Sequence, residues 1–226
     1  MANPLTTAMK VVSFCTLFGV GISAQAGSLT FNFTGPTGNV GSNKETFTSG
    51  LYSVTAYGFN NDTNTSAHNL YDKNSGGGET GIGLVSTLDN ELTLKSGGST
   101  YANFIQLDVS QIEKVLASAT IEIGSVTGPE KYDLYGSNTL GSIGTLLASG
   151  LSSSSAVIPQ WGKDAYISVA VHADPCNPCD NVLVGGLCGT IPTTVVTTAA
   201  VPEPSSILML STAVVVGMGV VFFRQQ

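Results

Sequence analysis

"FIQLDVS", residues 104–110, decides the fold. Ile105, Leu107 and Val109 alternate with Gln106 and Asp108, the period of a half-buried strand whose successive side chains point to opposite faces. The same alternation recurs on either side of it. Leu29, Phe31 and Phe33 are interleaved with Thr30 and Asn32, and Ile121 and Ile123 flank Glu122. Tyr132 to Tyr135 and Tyr166 to Val171 add two more β-rich runs, and clusters of Gly, Asn, Ser and Pro separate them all. The pattern predicts a mainly β chain with a single β-sandwich or jelly-roll-like domain. One helical turn is expected in "SQIEKVLAS", where Ser110 and Glu113 have capping-box spacing and Ile112, Val115 and Leu116 form a short apolar face.

Composition agrees with that reading. At 226 residues, 42% hydrophobic and 10% charged, the chain can bury one sizeable core once its ends are set aside. Its 27 glycines and few Lys, Glu and Arg suit a β-rich exported protein with long turns better than a helical bundle. The formal net charge is −7, and residues 27–200 hold 6 Lys+Arg against 14 Asp+Glu, which gives −8. Nucleic acid and anionic lipid are thereby excluded as expected partners, because phosphate recognition needs clustered basic residues.

Both ends read as addresses. Lys10 is a positive n-region, Val11 to Ile22 an apolar stretch, and Ala24-Gln25-Ala26 a small-x-small cleavage site that sets the expected mature start at Gly27. That apolar stretch is too short for a retained membrane helix, which needs about 20 residues. Cys15 leaves with the signal peptide. Near the other end Ser205 to Phe223 carries no charge, enough for about 28 Å of helix. Glu203 precedes this run and Arg224 comes directly after it, an orientation that places the main domain outside the cytoplasm.

The order Val201-Pro202-Glu203-Pro204-Ser205, apolar span, Arg224, on a chain with a signal peptide, resembles the PEP-CTERM sorting signal of exported bacterial proteins. The resemblance implies that an exosortase, a membrane-embedded cysteine transpeptidase or protease, recognises Pro202-Glu203-Pro204 and removes the tail. "NLYDKNSGGGETGIGLVSTLDNELTL", "FIQLDVS" and "DLYGSNTLGSIGTLL" are similar to the ectodomain of many PEP-CTERM proteins, whose own function is poorly defined. The expected domains are a signal peptide at 1–26, a β-sandwich at 27–188, a Thr-rich stalk at 189–200 and the sorting signal at 201–226, with a transmembrane helix over about 206–223. A final strand packed on the domain is the competing reading of the stalk. The Thr-x-Thr ladder of a flat ice-binding face is missing.

Motifs for chemistry are sparse. Gly76 to Gly81 matches G-x-G-x-x-G, but the adjoining "IGLVSTLDNELTL" is strand-like, with no helix N-terminus to offer a pyrophosphate. Asp62, Asp72, Asn74 and Glu79, with Asn64, supply the oxygen ligand types of a calcium loop without the EF-hand spacing, and no cofactor is expected beyond calcium at such a loop. His68 and His172 are the only histidines, and no nucleophile elbow is present. "HADPCNPCDNVLVGGLC" brings Cys176, Cys179 and Cys188 near His172. In an oxidising compartment this favours one disulfide, Cys179 to Cys188 or else Cys176 to Cys179, over a zinc site. Trp161, Tyr132 and Tyr135, with Tyr166, could form a glycan-stacking platform or simply fill the core.

The leading expectation is a non-enzymatic, exported surface or matrix protein. It is anchored by its tail, processed by exosortase, and associated with exopolysaccharide. A carbohydrate-binding module or adhesin is the first alternative, and a secreted hydrolase with a carboxylate pair the second.

Overall fold

The computed structural model describes residues 27–60, 66–75, 79–94, 103–125, 130–173 and 180–192. They form fourteen strands: β1 (Gly27–Asn32), β2 (Gly38–Asn39), β3 (Lys44–Ser49), β4 (Tyr52–Asn60), β5 (Leu70–Ser75), β6 (Glu79–Leu84), β7 (Leu92–Thr93), β8 (Asn103–Asp108), β9 (Ser118–Ser125), β10 (Tyr132–Ser137), β11 (Thr145–Leu151), β12 (Ser155–Val157), β13 (Tyr166–Val171) and β14 (Asn181–Ile191). The first sheet runs β12-β9-β14-β6-β5-β2 and the second β11-β10-β13-β8-β4-β3. Every pairing is antiparallel.

The long strand β14 organises the first sheet. One flank pairs with β9, while the other meets β7 at Val182, β6 at Val184 and β1 from Gly186 to Ile191. Inward residues of both sheets merge into one core, with Phe31, Leu70, Ile82, Ile121 and Leu187 from the first, and Val54, Ile105, Leu107, Tyr132 and Val169 from the second. The expected β-sandwich is therefore observed, with the three strands read from alternation and the two further β-rich runs all in place.

Alternation fails in one informative respect. Gln106, expected to face solvent, is fully buried, as are Phe104, Ile105 and Leu107. Strand β8 is central, and the face turned away from the first sheet is covered by the β10–β11 connection. Phe59, Phe104, Tyr135 and Ala170 make a second small core there, with Ile143 packed against it. Gln106 pins the covering loop: its Oε1 accepts from Gly141 N at 2.7 Å, and its Nε2 donates to Ser142 O at 2.8 Å. Truncating it orphans a backbone donor and acceptor as well as opening a cavity. Gln106→Ala is expected to cost about 2 kcal/mol in urea unfolding, and a loss below about 0.5 kcal/mol would show that the loop does not depend on this side chain.

Two local expectations are refined. Residues 110–115 are turns that carry helix-type bonds, from Glu113 N to Val109 O at 2.8 Å and from Leu116 N to Ile112 O at 3.0 Å, as the expected helical turn requires, but Ser110 does not act through a capping box. Asp108 Oδ1 instead accepts from both Ser110 N and Ser110 Oγ, an Asx turn that closes β8. Ile112 and Leu116 are still buried, as their spacing requires. The boundary at Cys188 also moves, since β14 continues to Ile191, opposite Gly27 of β1. The first residues of the expected stalk are thus strand, as their β propensity allows.

Ala24, Ala26 and the sorting residues Val201, Pro202, Glu203, Pro204, Ser205 and Arg224 lie outside the described residues. Among the described residues no helix is long and apolar enough to cross a membrane; the expected span at 206–223 is outside them.

Candidate functional site

The polar chemistry concentrates on the β5–β6 hairpin. Register pairs Leu70 with Leu84, Asp72 with Ile82 and Ser75 with Glu79, so Leu70, Asp72 and Asn74 share one face and Tyr71, Lys73 and Ser75 the other. Leu70, Ile82 and Leu84 belong to the core, which makes the Asp72 face the inner one.

On the outer face Lys73 sits inside a cage of carboxylates. Its Nζ lies 2.6 Å from Asp89 Oδ2, 2.7 Å from Glu91 Oε1 and 2.8 Å from Glu79 Oε2. Ser125 Oγ donates to the second oxygen of Glu91 at 2.8 Å. The lid is the segment 86–91, where Ser86, Asp89 and Asn90 all have left-handed backbone, φ 61°, 54° and 58°. Non-glycine residues adopt that region only when surroundings hold them there. Here Ser86 N donates to Asn90 Oδ1 at 3.0 Å, and the Thr87 hydroxyl lies 2.6 Å from both Leu84 O and Glu91 O. The segment packs onto β6 where Gly83 has no side chain, and a β-carbon there would overlap Asn90 O. Burial alone would lower the Lys73 pKa, but hydrogen bonds to Asp89, Glu79 and Glu91 outweigh it and hold the ammonium well above the usual lysine range.

The three carboxylates lie close enough to share a metal ion, yet the Lys73 ammonium stands among them. The calcium loop expected from Asp72, Asn74 and Glu79 does not assemble, because strand alternation puts Glu79 on the face opposite Asp72 and Asn74. Asp62 lies outside the described residues.

On the inner face Asp72 meets Glu45. Glu45 shares a strand face with buried Phe47 on β3, so the two carboxyls converge from opposite sheets within hydrogen-bonding reach. Asp72 is 4% exposed, and Asp72 Oδ1 and Glu45 Oε2 are buried with no hydrogen-bond partner. For Glu45, burial and then the Asp72 charge push the carboxyl up; for Asp72, burial raises it against the hydrogen bond from Glu45, which lowers it. The backbone at Gly35 presses on the same group, since a β-carbon there would overlap Asp72 Oδ2. Carboxyls in contact are too close to flank a glycosidic bond, which needs roughly 5–9.5 Å between them.

The glycan platform is not formed. Tyr132 is fully buried and its hydroxyl donates to Ser153 O at 3.0 Å. Tyr135, three residues on and hence on the other face, is buried in the second core and donates to Asp133 Oδ2 at 3.3 Å. Trp161 packs against the main core, its Nε1 donating to Leu116 O at 3.1 Å.

The favoured disulfide is also corrected. Cys188 is a free thiol within β14, separated from Asn181 by about 23 Å of extended strand. Bridging to Cys179, two residues before Asn181, needs Cα atoms within about 7 Å. The same distance removes Cys188 from the zinc set. Cys176 and Cys179 lie outside the described residues. Burial, and then the neighbouring Glu122 carboxylate, push the Cys188 thiol up, so it stays protonated and a poor nucleophile.

His172 Nδ1 lies 2.8 Å from Asp133 Oδ1 and 3.3 Å from Ser149 Oγ. Nucleophilic catalysis needs serine and carboxylate on opposite ring nitrogens; here both meet Nδ1, and Asp133 Oδ1 also accepts from Gly150 N at 2.7 Å. The group ties β10, β11 and the end of β13 together. His68 lines a shallow cleft of about 360 Å³ with Asn60, Asn69, Val85 and Ser86. Both its ring nitrogens are engaged, Nδ1 at 2.7 Å from Asn60 Oδ1 and Nε2 at 2.6 Å from Val85 O.

Compared with known proteins, the chain matches no family model, no curated protein and no solved structure.

Proposed function

We propose that this chain is an exported PEP-CTERM surface or matrix protein, a substrate rather than an enzyme. Its β-sandwich is released at the cell surface after exosortase cuts its anchoring tail. The observation that carries the reading is the ordered run Val201-Pro202-Glu203-Pro204-Ser205, apolar span, Arg224, on a chain that also carries the n-region, apolar stretch and Ala24-Gln25-Ala26 of a signal peptide. The apolar span from about 206 to 223 holds the chain in the membrane as a single helix, and Arg224 keeps that end cytoplasmic. Once the tail is cut, the acidic sandwich resides in the extracellular polysaccharide.

Replacing Pro202, Glu203 and Pro204 by alanine tests the assignment in cells that express exosortase. The variant is expected to remain in the membrane fraction at full size, while the parent chain is shortened and reaches the surface or medium. Identical size and location for both would overturn it.

A further inference from the structure

The geometry points to a calcium site between the two sheets, formed by Glu45 of β3 and Asp72 of β5. Two inward-facing carboxyls from opposite sheets meet there, and each leaves a buried oxygen without a partner outside the pair. Asp72 is 4% exposed, so water does little to solvate its charge, and an unpaired buried carboxylate is costly. A shared proton would still leave one negative charge inside. A divalent cation neutralises both groups at once.

The donors are oxygen only, which selects a hard cation over zinc or copper. Two carboxylates from separate strands, with water completing the shell from the partly exposed Glu45 side, suit the irregular coordination of calcium better than the octahedron that magnesium demands. With only two charged ligands the affinity falls in the range of about 0.1–1 mM typical of extracellular modules. Gly35 belongs to the site because only glycine lets the β1–β2 connection close over Asp72 Oδ2. The ion ties β3 to β5 near the edges of their sheets, and it is separate from the Lys73 cage, whose carboxylates already hold an ammonium.

The test is thermal unfolding and titration calorimetry of the full chain in mild detergent, with calcium chloride added after EDTA treatment. Excess calcium is expected to raise Tm by about 3–8 °C with one saturable site. Glu45→Gln and Asp72→Asn should each abolish that rise. Glu45→Gln should also match or exceed the parent Tm without calcium, because it relieves the repulsion; that keeps the test valid if Asp72→Asn folds poorly. No rise in Tm and no heat with calcium would overturn the site and leave a proton-sharing pair. A rise that persists undiminished in Glu45→Gln would overturn it equally, by placing the ion elsewhere.

Discussion

Lys73→Met is expected to lower stability by about 3–5 kcal/mol, the usual cost of removing one member of a buried ion pair. The loss falls mainly on Glu91, whose side chain is 2% exposed; Glu79 and Asp89 are 38% and 58% exposed, so solvent screens them. Without the ammonium, Glu91 keeps only Ser125 Oγ and faces two like charges. For a domain of this size the fall in Tm is on the order of 10 °C. Glu91→Gln in the same chain should restore part of it, because the stranded charge is then gone. Differential scanning calorimetry of the parent, the single and the double variant reads both the loss and the rescue. A loss under about 1 kcal/mol would mean that the cage behaves as a solvated surface cluster.

Gly124→Ala is expected to be comparably damaging for a steric reason. Strands β6, β9 and β14 converge where the first sheet branches, and a β-carbon on Gly124 would overlap the backbone oxygen of Thr80. On the other side Gly185 lies against Gly124 N, and Gly81, at φ 153°, lies against Val184 O. No flexible side chain can yield, so backbone must move in at least two strands, at a cost above about 3 kcal/mol. Chemical denaturation should show a lower midpoint, or no folded baseline at all. A midpoint within error of the parent would refute this packing.

Much of the fold was legible because a strand's period is short and local. Phe31, Ile105, Ile121 and Val169 each advertise an inner face through their immediate neighbours. What was not legible depended on contacts between distant segments. Gln106 reads as a solvent-facing residue by alternation, and only the β10–β11 loop, folded back over β8, makes it buried. Cys179 and Cys188 are close in number, and nothing local says that extended strand keeps them apart. The aromatic positions of β10 had two readings, platform or core, and burial on both faces of the strand settles them as core.

The candidate site was half visible. The run Leu70 to Ser75, "LYDKNS", places acid and base on alternate faces, so reading it with the strand period would have sent Asp72 inward with Leu70 and Lys73 outward. Grouping Asp72, Asn74 and Glu79 by proximity in the chain missed that. The partners Glu45, Asp89 and Glu91 come from other segments, and no local spacing points to them.

The sorting claim is tested most directly by the mass of the mature chain's C-terminal peptide, taken from cells with and without exosortase. The expected result is a chain that begins at Gly27 in both, that keeps Arg224 in cells lacking the enzyme, and that ends before the apolar span in cells that have it. An intact C-terminus in both would contradict it.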